Sequence, residues 1–373
     1  MQTYLIDPKN PTKPYNFSFL LALNRKKYPF TFLGYIPDWW DKYLNIKGGN
    51  FFLPVSRGVF KNKKTQKVVG GITQTLEMLI GYLRLRSIIK DNVILHFLWF
   101  LSPSLEQYII PRIRKASLIH NVHNLLPHRN RKSDFKRFKK IYSKIDFIIV
   151  HDCETKEKLN NVFKFENKVK VIPHGNMEDF YNIFDKTNKR QSEVFWGHNI
   201  GKLKKPIFFF MGPVKPYKGF KTLIDAVRNL NKKGYNYSLV IKDKKQKDIK
   251  NVYYLPINLP YSHLGLIYRS SDVVIIPHMK ISQSITLFEA GYFEKPVIVS
   301  STGGLKETVR DRIDGFIFEK GNSNSLASKM EYLIQSPDEC IRMGINFKEN
   351  LIKKYSWDDI IDKWIKVYEE FTL

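Results

Sequence analysis

Cysteine is nearly missing: Cys153 and Cys340 are the only two in 373 residues. That excludes a disulfide framework, and neither lies in a C-x-x-C or Cys/His spacing that would hold zinc. Acidic side chains are scarce as well, 35 against 62 Lys plus Arg, which leaves a formal net charge of +27. Long hydrophobic runs are absent. The longest uncharged apolar stretch, NVILHFLWFLSPSL at 92–105, contains Pro103 and falls short of the ~20 residues a membrane-spanning helix needs. The opening MQTYLIDPKNP has no basic n-region and no small-residue cleavage site, so the mature chain is expected to start near Met1. There is no G-x-S-x-G, Walker loop or G-x-G-x-x-G, which argues against serine hydrolase, P-loop and dinucleotide chemistry. No repeat of 20 to 50 residues and no low-complexity tract occurs.

What is present is apolar mass. Hydrophobic residues make up 43% and aromatics 14%, enough buried surface to exclude disorder, and the length predicts two domains. The charge is uneven: residues 1–172 carry 31 basic and 12 acidic side chains, the remainder 31 and 23. From Arg112 to Lys144 there are 11 Lys/Arg and one acid before Lys144, Asp134, and HRNRKSDFKRFKKIYSKI sets several cations on one helical face. Phospholipid, nucleic acid and a phosphorylated substrate all fit such a surface, as does a merely solvated face.

Short β-rich apolar runs alternate with helical segments. TYLIDP (3–8), FTFLGY (30–35), VILHFLWF (93–100), SLIHNV (117–122), FIIV (147–150) and VKVIP (169–173) form a first set; IFFFMG (207–212), YSLVIK (237–242), VYYLP (252–256), VVIIP (273–277) and PVIVS (296–300) a second. Continuous apolarity predicts parallel strands buried on both faces, hence two doubly wound α/β domains. The polar stretch within 174–205 joins them; we assign 1–190 to the first domain and 191–355 to the second. A last helix, 356–371, starts with Ser356 and two acids and carries Trp357, Ile360, Ile361, Trp364, Ile365 and Tyr368 on a broad apolar stripe.

Three segments carry chemistry. In FFFMGPVKPYKGFKTLIDAV (208–227) a strand ends at Gly212, Lys215 and Lys218 occupy a tight loop, and Gly219 opens a helix. Two ammonium groups and a helix N-terminus suit an anion such as a diphosphate, although ordinary α/β turns read the same way. In PHMKISQSITLFEAGYFEKPVIVSSTGGLKETV (277–309) the Ser282, Gln283 and Ser284 amides, with a helix starting at Ile285, make a second anion cradle. Glu289, one turn on, is a bidentate acceptor for a vicinal diol or a surface acid offsetting Lys295; Gly303 and Gly304 admit a ligand to the backbone or make a turn. In SLIHNVHNLLPHR (117–129) a strand delivers His120, His123 and His128, with His123 past the strand end and free to meet a ligand. No Asp or Glu lies near to complete a metal site.

Together these segments resemble glycosyltransferase family 4 on the GT-B fold, over most of the chain. GPVKPYKGFKTLIDA resembles the donor-diphosphate loop, LFEAGYFEKPVIVSSTGG with its continuation to Ile334 the nucleotide-sugar segment, and VIPHGN the crossing into the second domain. Lys215 and Lys218 match the positions that grip the diphosphate, Glu289 the second Glu of a Glu-x7-Glu element that binds ribose, and His123 of VHN the active-site histidine. Ile281 stands where the first Glu belongs, so this chain resembles a branch with a Ser-rich loop there, and its donor sugar must be recognised by other means.

The resemblance implies two Rossmann-like domains facing a cleft, with the C-terminal helix 356–373 crossing back to the first domain as an interdomain seam. It implies a retaining hexosyltransferase that needs no metal or other cofactor and takes a nucleotide-diphosphate sugar as donor. His123, Lys215 and Lys218 are the expected catalytic residues; Lys215, Lys218, Ser282, Gln283, Ser284, Ile285 and Glu289 the expected donor-binding ones. The expected acceptor is a saccharide or lipid-linked saccharide in cell-surface polysaccharide or glycoconjugate synthesis, and the basic first half points to a cytoplasmic enzyme peripheral on the anionic inner face of the cell membrane. A GT-B epimerase or phosphorylase shares the cleft without the transfer. A nucleic-acid-binding protein fits the charge, but no recognition motif accompanies it, so nucleic acid is not an expected partner.

Overall fold

In a computed structural model the described residues are 1–8, 13–34, 36–37, 40, 42–49, 76, 79–87, 89, 91–100, 102–123, 132–187, 190–192, 195, 203–244, 248–256 and 263–371. Buried apolar runs form two all-parallel sheets, as their continuous hydrophobicity demands. The first contains β1 (Gln2–Asp7), β2 (Phe30–Gly34), β3 (Lys47–Gly49), β4 (Val93–Phe97), β5 (Ala116–Asn121), β6 (Phe147–Val150) and β7 (Val169–Val171), in the order β3-β2-β1-β4-β5-β6-β7. The second contains β8 (Ile207–Phe210), β9 (Ser238–Lys242), β10 (Val252–Leu255), β11 (Val273–Ile276), β12 (Val297–Ser300) and β13 (Gly315–Phe318), in the order β10-β9-β8-β11-β12-β13. The expected doubly wound α/β class is what the chain adopts. β3 and β13 carried no clear signal in the sequence. Both begin at or contain glycines whose missing side chains let the neighbouring strand approach: a Cβ on Gly48 or Gly315 would lie 2.1 or 2.0 Å from a carbonyl oxygen of Phe32 or Val297.

The chain divides into two compact units. Unit 1 comprises Met1–His151, Thr155–Pro173 and Trp357–Leu373; unit 2 comprises Asp152–Glu154 and His174–Ser356. The border thus falls at 173/174, whereas the sequence reading set it at 190/191. The reason is the short helix Glu178–Phe184, whose Tyr181 stacks on Tyr292 at 5.0 Å and meets Phe293 edge-on at 5.1 Å, both within unit 2.

In unit 1 the helices Lys13–Arg25 and Trp357–Glu369 share one face of the sheet. Phe19 touches Trp357 and Trp364, at 5.8 and 5.4 Å between ring centroids, and His96 of β4 stacks on Trp364 at 4.9 Å and shares a 2.8 Å hydrogen bond with Tyr368. The aromatic stripe of the last helix is therefore core of unit 1, the unit to which this helix was expected to cross back. Each such large side chain withdrawn from water contributes about 1.5–3 kcal/mol. The opposite face carries a second core that includes Tyr82, Leu85, Phe138 and Ile141. Unit 2 is built on Phe208, Phe210, Leu239 and Ile275 with the helices Phe220–Lys232 and Ser323–Gln335. Among the described residues no helix is long and apolar enough to cross a membrane.

Candidate functional site

The strand order of the second sheet reverses direction between β8 and β11. In a parallel sheet the loops leaving two such strands diverge to opposite faces and open a crevice at the carboxyl edge, the usual ligand position of doubly wound folds. Here those loops are 211–219 and 277–284, the two segments with candidate chemistry. They are locked together. The Met279 amide donates to the Tyr217 carbonyl at 2.7 Å. Gly219 has φ 69° and lies so close to the other loop that a Cβ there would sit 1.7 Å from the Pro277 oxygen, which only glycine tolerates.

Lys218 ends a 3-10 turn, Pro216–Lys218, and folds back over its own loop. Its ammonium donates to the carbonyls of Met211 and Gly212 at 3.0 and 2.8 Å, leaving one of its three N–H groups for a ligand. Burial pushes its pKa down to about 8, with Glu289 and Asp243 pulling the other way. Lys215 precedes the turn and is exposed. The structure thus separates the two lysines in character: one is half-buried and braced, the other is exposed. Asp243, which the sequence reading missed, anchors this loop by accepting from the Val214 amide. Its signal was a lone acid at the end of the strand YSLVIKD.

The second loop is also braced. Ser282 donates its hydroxyl to Asp152 at 2.7 Å, and its carbonyl accepts from the Gly304 amide at 2.8 Å. Ser284 caps the helix Ile285–Tyr292 in extended conformation, its amide 3.3 Å from Gln283 Oε1. A Cβ on Gly303 would fall 1.9 Å from the Ile281 oxygen, and one on Gly304 2.5 Å from the Ser282 oxygen. The pair packs directly against the 281–283 loop, a contact that neither sequence reading of these glycines named. The Ile281 side chain is half-buried and, being aliphatic, offers no hydrogen bond at this loop.

Glu289 is only 3% exposed. Tyr181 donates to its Oε1 at 2.8 Å and Tyr268 to its Oε2 at 2.6 Å. Burial raises its pKa, while the two tyrosine hydrogen bonds and then Lys242 and Lys218 oppose the rise. One acceptor position on each oxygen is therefore already taken, and a ribose diol has only the remaining lone pairs. Neither tyrosine was legible as a site residue, because each is one aromatic among many and lies far from Glu289 in sequence.

At the carboxyl edge of the first sheet, β5 stops at Asn121 and His123 follows it, as the sequence reading has it. Its ring packs against Trp99 at 4.8 Å, His151 at 5.3 Å and, edge-on, Tyr15 at 5.6 Å. His151 is oriented by a 2.9 Å contact from Nδ1 to the Ile172 carbonyl, and Asn121 donates to Tyr15 Oη at 3.2 Å. His120 instead stacks on Phe100 at 3.7 Å, and burial pushes its pKa down to about 3, so it stays neutral. His128 lies outside the described residues. Among the described residues no group of three or more His, Cys, Asp or Glu is placed to hold a metal ion.

Residues 192–350 match the family model described as Glycosyl transferases group 1. An uncharacterized glycosyltransferase of Methanocaldococcus jannaschii is 30% identical over 247 residues, 63% of this chain and 62% of that protein. The N,N'-diacetylbacillosaminyl-diphospho-undecaprenol alpha-1,3-N-acetylgalactosaminyltransferase of Campylobacter jejuni is 24% identical over 232 residues, 60% of each. The chain therefore spans less than two thirds of the length of these relatives. In fold it is similar to sucrose-phosphate synthase from Thermosynechococcus elongatus (TM-score 0.74, 15% identity, covering 100% of this chain and 99% of that one). It is likewise similar to HepE of Anabaena solved with UDP-glucose (TM-score 0.68, 14% identity, covering 99% and 100%). The chain adopts the GT-B fold class, and the crevice loops of its second sheet lie inside the segment, 192–350, that matches the Glycosyl transferases group 1 model.

Proposed function

We propose that this protein is a retaining, metal-independent glycosyltransferase that moves a hexose from a nucleotide-diphosphate sugar to a saccharide acceptor. One observation carries the reading: the loops that converge at the β8/β11 reversal, with Lys218 and the Ser284–Ile285 helix start, fall within the segment matched to Glycosyl transferases group 1. Breaking the C1–O bond places charge on the departing diphosphate. The third N–H of Lys218, the exposed Lys215 and the amides opening the helix at Ile285 are the donors that would stabilise it. The described carboxylates beside these loops are engaged, Asp243 by Val214, Asp152 by Ser282 and Glu289 by two tyrosines. That favours attack from the front face, with the leaving group itself taking the acceptor's proton, over a covalent enzyme intermediate. His123 keeps the donor-positioning role that the family resemblance implies.

The acceptor we propose is a lipid-linked saccharide in cell-surface polysaccharide synthesis. The Campylobacter jejuni relative, whose name specifies a diphospho-undecaprenol-linked sugar, supports it, and so does the cationic first half of the chain, which suits work on the anionic cytoplasmic face of a membrane. The test is a panel of UDP- and GDP-sugars with labelled hexose. One donor should raise the melting temperature, since a ligand at 100 times its dissociation constant adds ~2.7 kcal/mol, and label should pass to a lipid-linked saccharide. Stabilisation by none of them, or label recovered only as epimerised donor or sugar phosphate, would overturn the reading.

A further inference from the structure

One helix of unit 1 is apolar on two faces, and the core uses only one of them. In the helical stretch 79–87, Tyr82 and Leu85 are buried against the sheet. Tyr82 donates to the buried Glu106 at 2.7 Å, which fastens this stretch beside the helix Pro103–Ile109. On the other side Leu76, Ile80 and Leu83 recur at spacings of four and three residues and are 53, 49 and 65% exposed. A face that only meets water has no reason to line up three large aliphatic side chains.

The neighbouring helix extends the same layer. Lys140, on the helix Lys132–Tyr142, holds its ammonium 4.7 Å from the ring centroid of Tyr108, itself 52% exposed. Arg84, Arg86, Lys136, Lys139 and Lys140 all lie in these helices, and among the described residues none of them forms an ion pair. Among the described residues the acids of these helices are withdrawn from the surface: Glu106 and Asp134 are both buried. The outer face of the layer is thus an aliphatic stripe flanked by uncompensated cations.

We infer that this layer seats the protein on a bilayer containing anionic lipid. Ile80 and Leu83 enter the boundary between headgroups and acyl chains, and Lys136, Lys139 and Lys140 meet lipid phosphates. The combination is the one interfacial helices use. A second copy of the chain is a poor occupant, because stacking two such faces sets cations against cations. The inference deepens the membrane reading given above and rests on it.

The experiment is co-sedimentation with vesicles of phosphatidylcholine alone or mixed with phosphatidylglycerol, with thermal shift by nucleotide sugar as a check that each variant folds. The wild type is expected on anionic vesicles only, with release by salt. Lys139→Gln with Lys140→Gln should weaken binding about 30-fold, at about fivefold per cation. Ile80→Gln with Leu83→Gln should weaken it at least tenfold and should remain weak at about 0.5 M salt, where charge is screened. If both double variants sediment like the wild type, this surface is wrong while the membrane reading stands. If the wild type ignores anionic lipid, both fail together. A wild-type dimer in solution that the Ile80/Leu83 variant abolishes, with no vesicle binding, would assign the stripe to self-association instead.

Discussion

The two units share one strand order, to which the first adds β7, and end in different chemistry. At the carboxyl edge of the second sheet, backbone and polar groups hold one another: Lys218 on two carbonyls, Asp243 on Val214, Ser282 on Asp152, Glu289 between two tyrosine hydroxyls. At the edge of the first sheet the same position is filled by rings, with His123 packed among Trp99, His151 and Tyr15. A polar, cross-braced edge suits an anion whose charge changes during a reaction, since its dipoles need not reorganise. An aromatic edge suits a neutral, flat-faced group such as a sugar ring. The parallel sheet supplies the place in each case, and the side chains at its rim decide what can occupy it.

The contrast can be broken at several points. The largest effect is expected from Gly219→Ala, which places a methyl group 1.7 Å from the Pro277 oxygen at φ 69°; it should cost about 3 kcal/mol or more, read as a lowered melting temperature with lost donor binding, and a normal melt would show that the two loops are not locked. Next, Lys218→Ala should lower kcat/KM about 100-fold or more. Lys215→Ala should lower it less, because the exposed Lys215 must give up more freedom to meet the diphosphate; equal effects would erase the distinction drawn between them. Tyr268→Phe leaves a buried carboxylate oxygen short of one donor, a loss of about 1–3 kcal/mol that should appear in stability and raise the pKa of Glu289 further.

A pH titration sharpens the comparison with signs that oppose each other. Burial pushes the pKa of the folded, unliganded Lys218 down to about 8 from its ordinary value of 10.5. Between those limits the unfolded chain holds the proton and the folded one does not, so this group makes stability rise with pH from about 8 upward. On the proposed function, donor binding uses the charged ammonium and should weaken over the same range. Both trends should disappear in Lys218→Ala. The smallest shift is expected at the other edge: His123→Ala should lower turnover with little change in melting temperature, whereas His120→Ala, which removes a ring stacked on Phe100, should do the reverse.

Much of the architecture was legible because parallel strands buried on both faces must be continuously apolar, so runs such as IFFF and VVII announce themselves. The short strands β3 and β13 were not, since each depends on a glycine meeting a neighbouring carbonyl. The loop residues Lys215, Lys218, Ser282, Ser284 and His123 stood out because strand ends are where polar groups are permitted. Tyr181, Tyr268, Asp152 and Asp243 did not, since each acts on a partner many residues away. The aromatic stripe of the last helix announced burial without saying against what.

By itself, the amino-acid order determined the alternation of apolar strands with helices, and with it two parallel sheets and the loops that could carry charge, because these depend on periodicity and on near neighbours in the chain. Tertiary structure alone decided that Lys218 turns onto its own loop, that Glu289 is clasped by two tyrosines, that Gly303 and Gly304 prop the 281–283 loop, and that Trp364 and Tyr368 of the last helix meet His96 of β4. Each of these is a contact between segments remote in sequence, and such contacts are set by how two sheets' worth of side chains fill space rather than by any local preference.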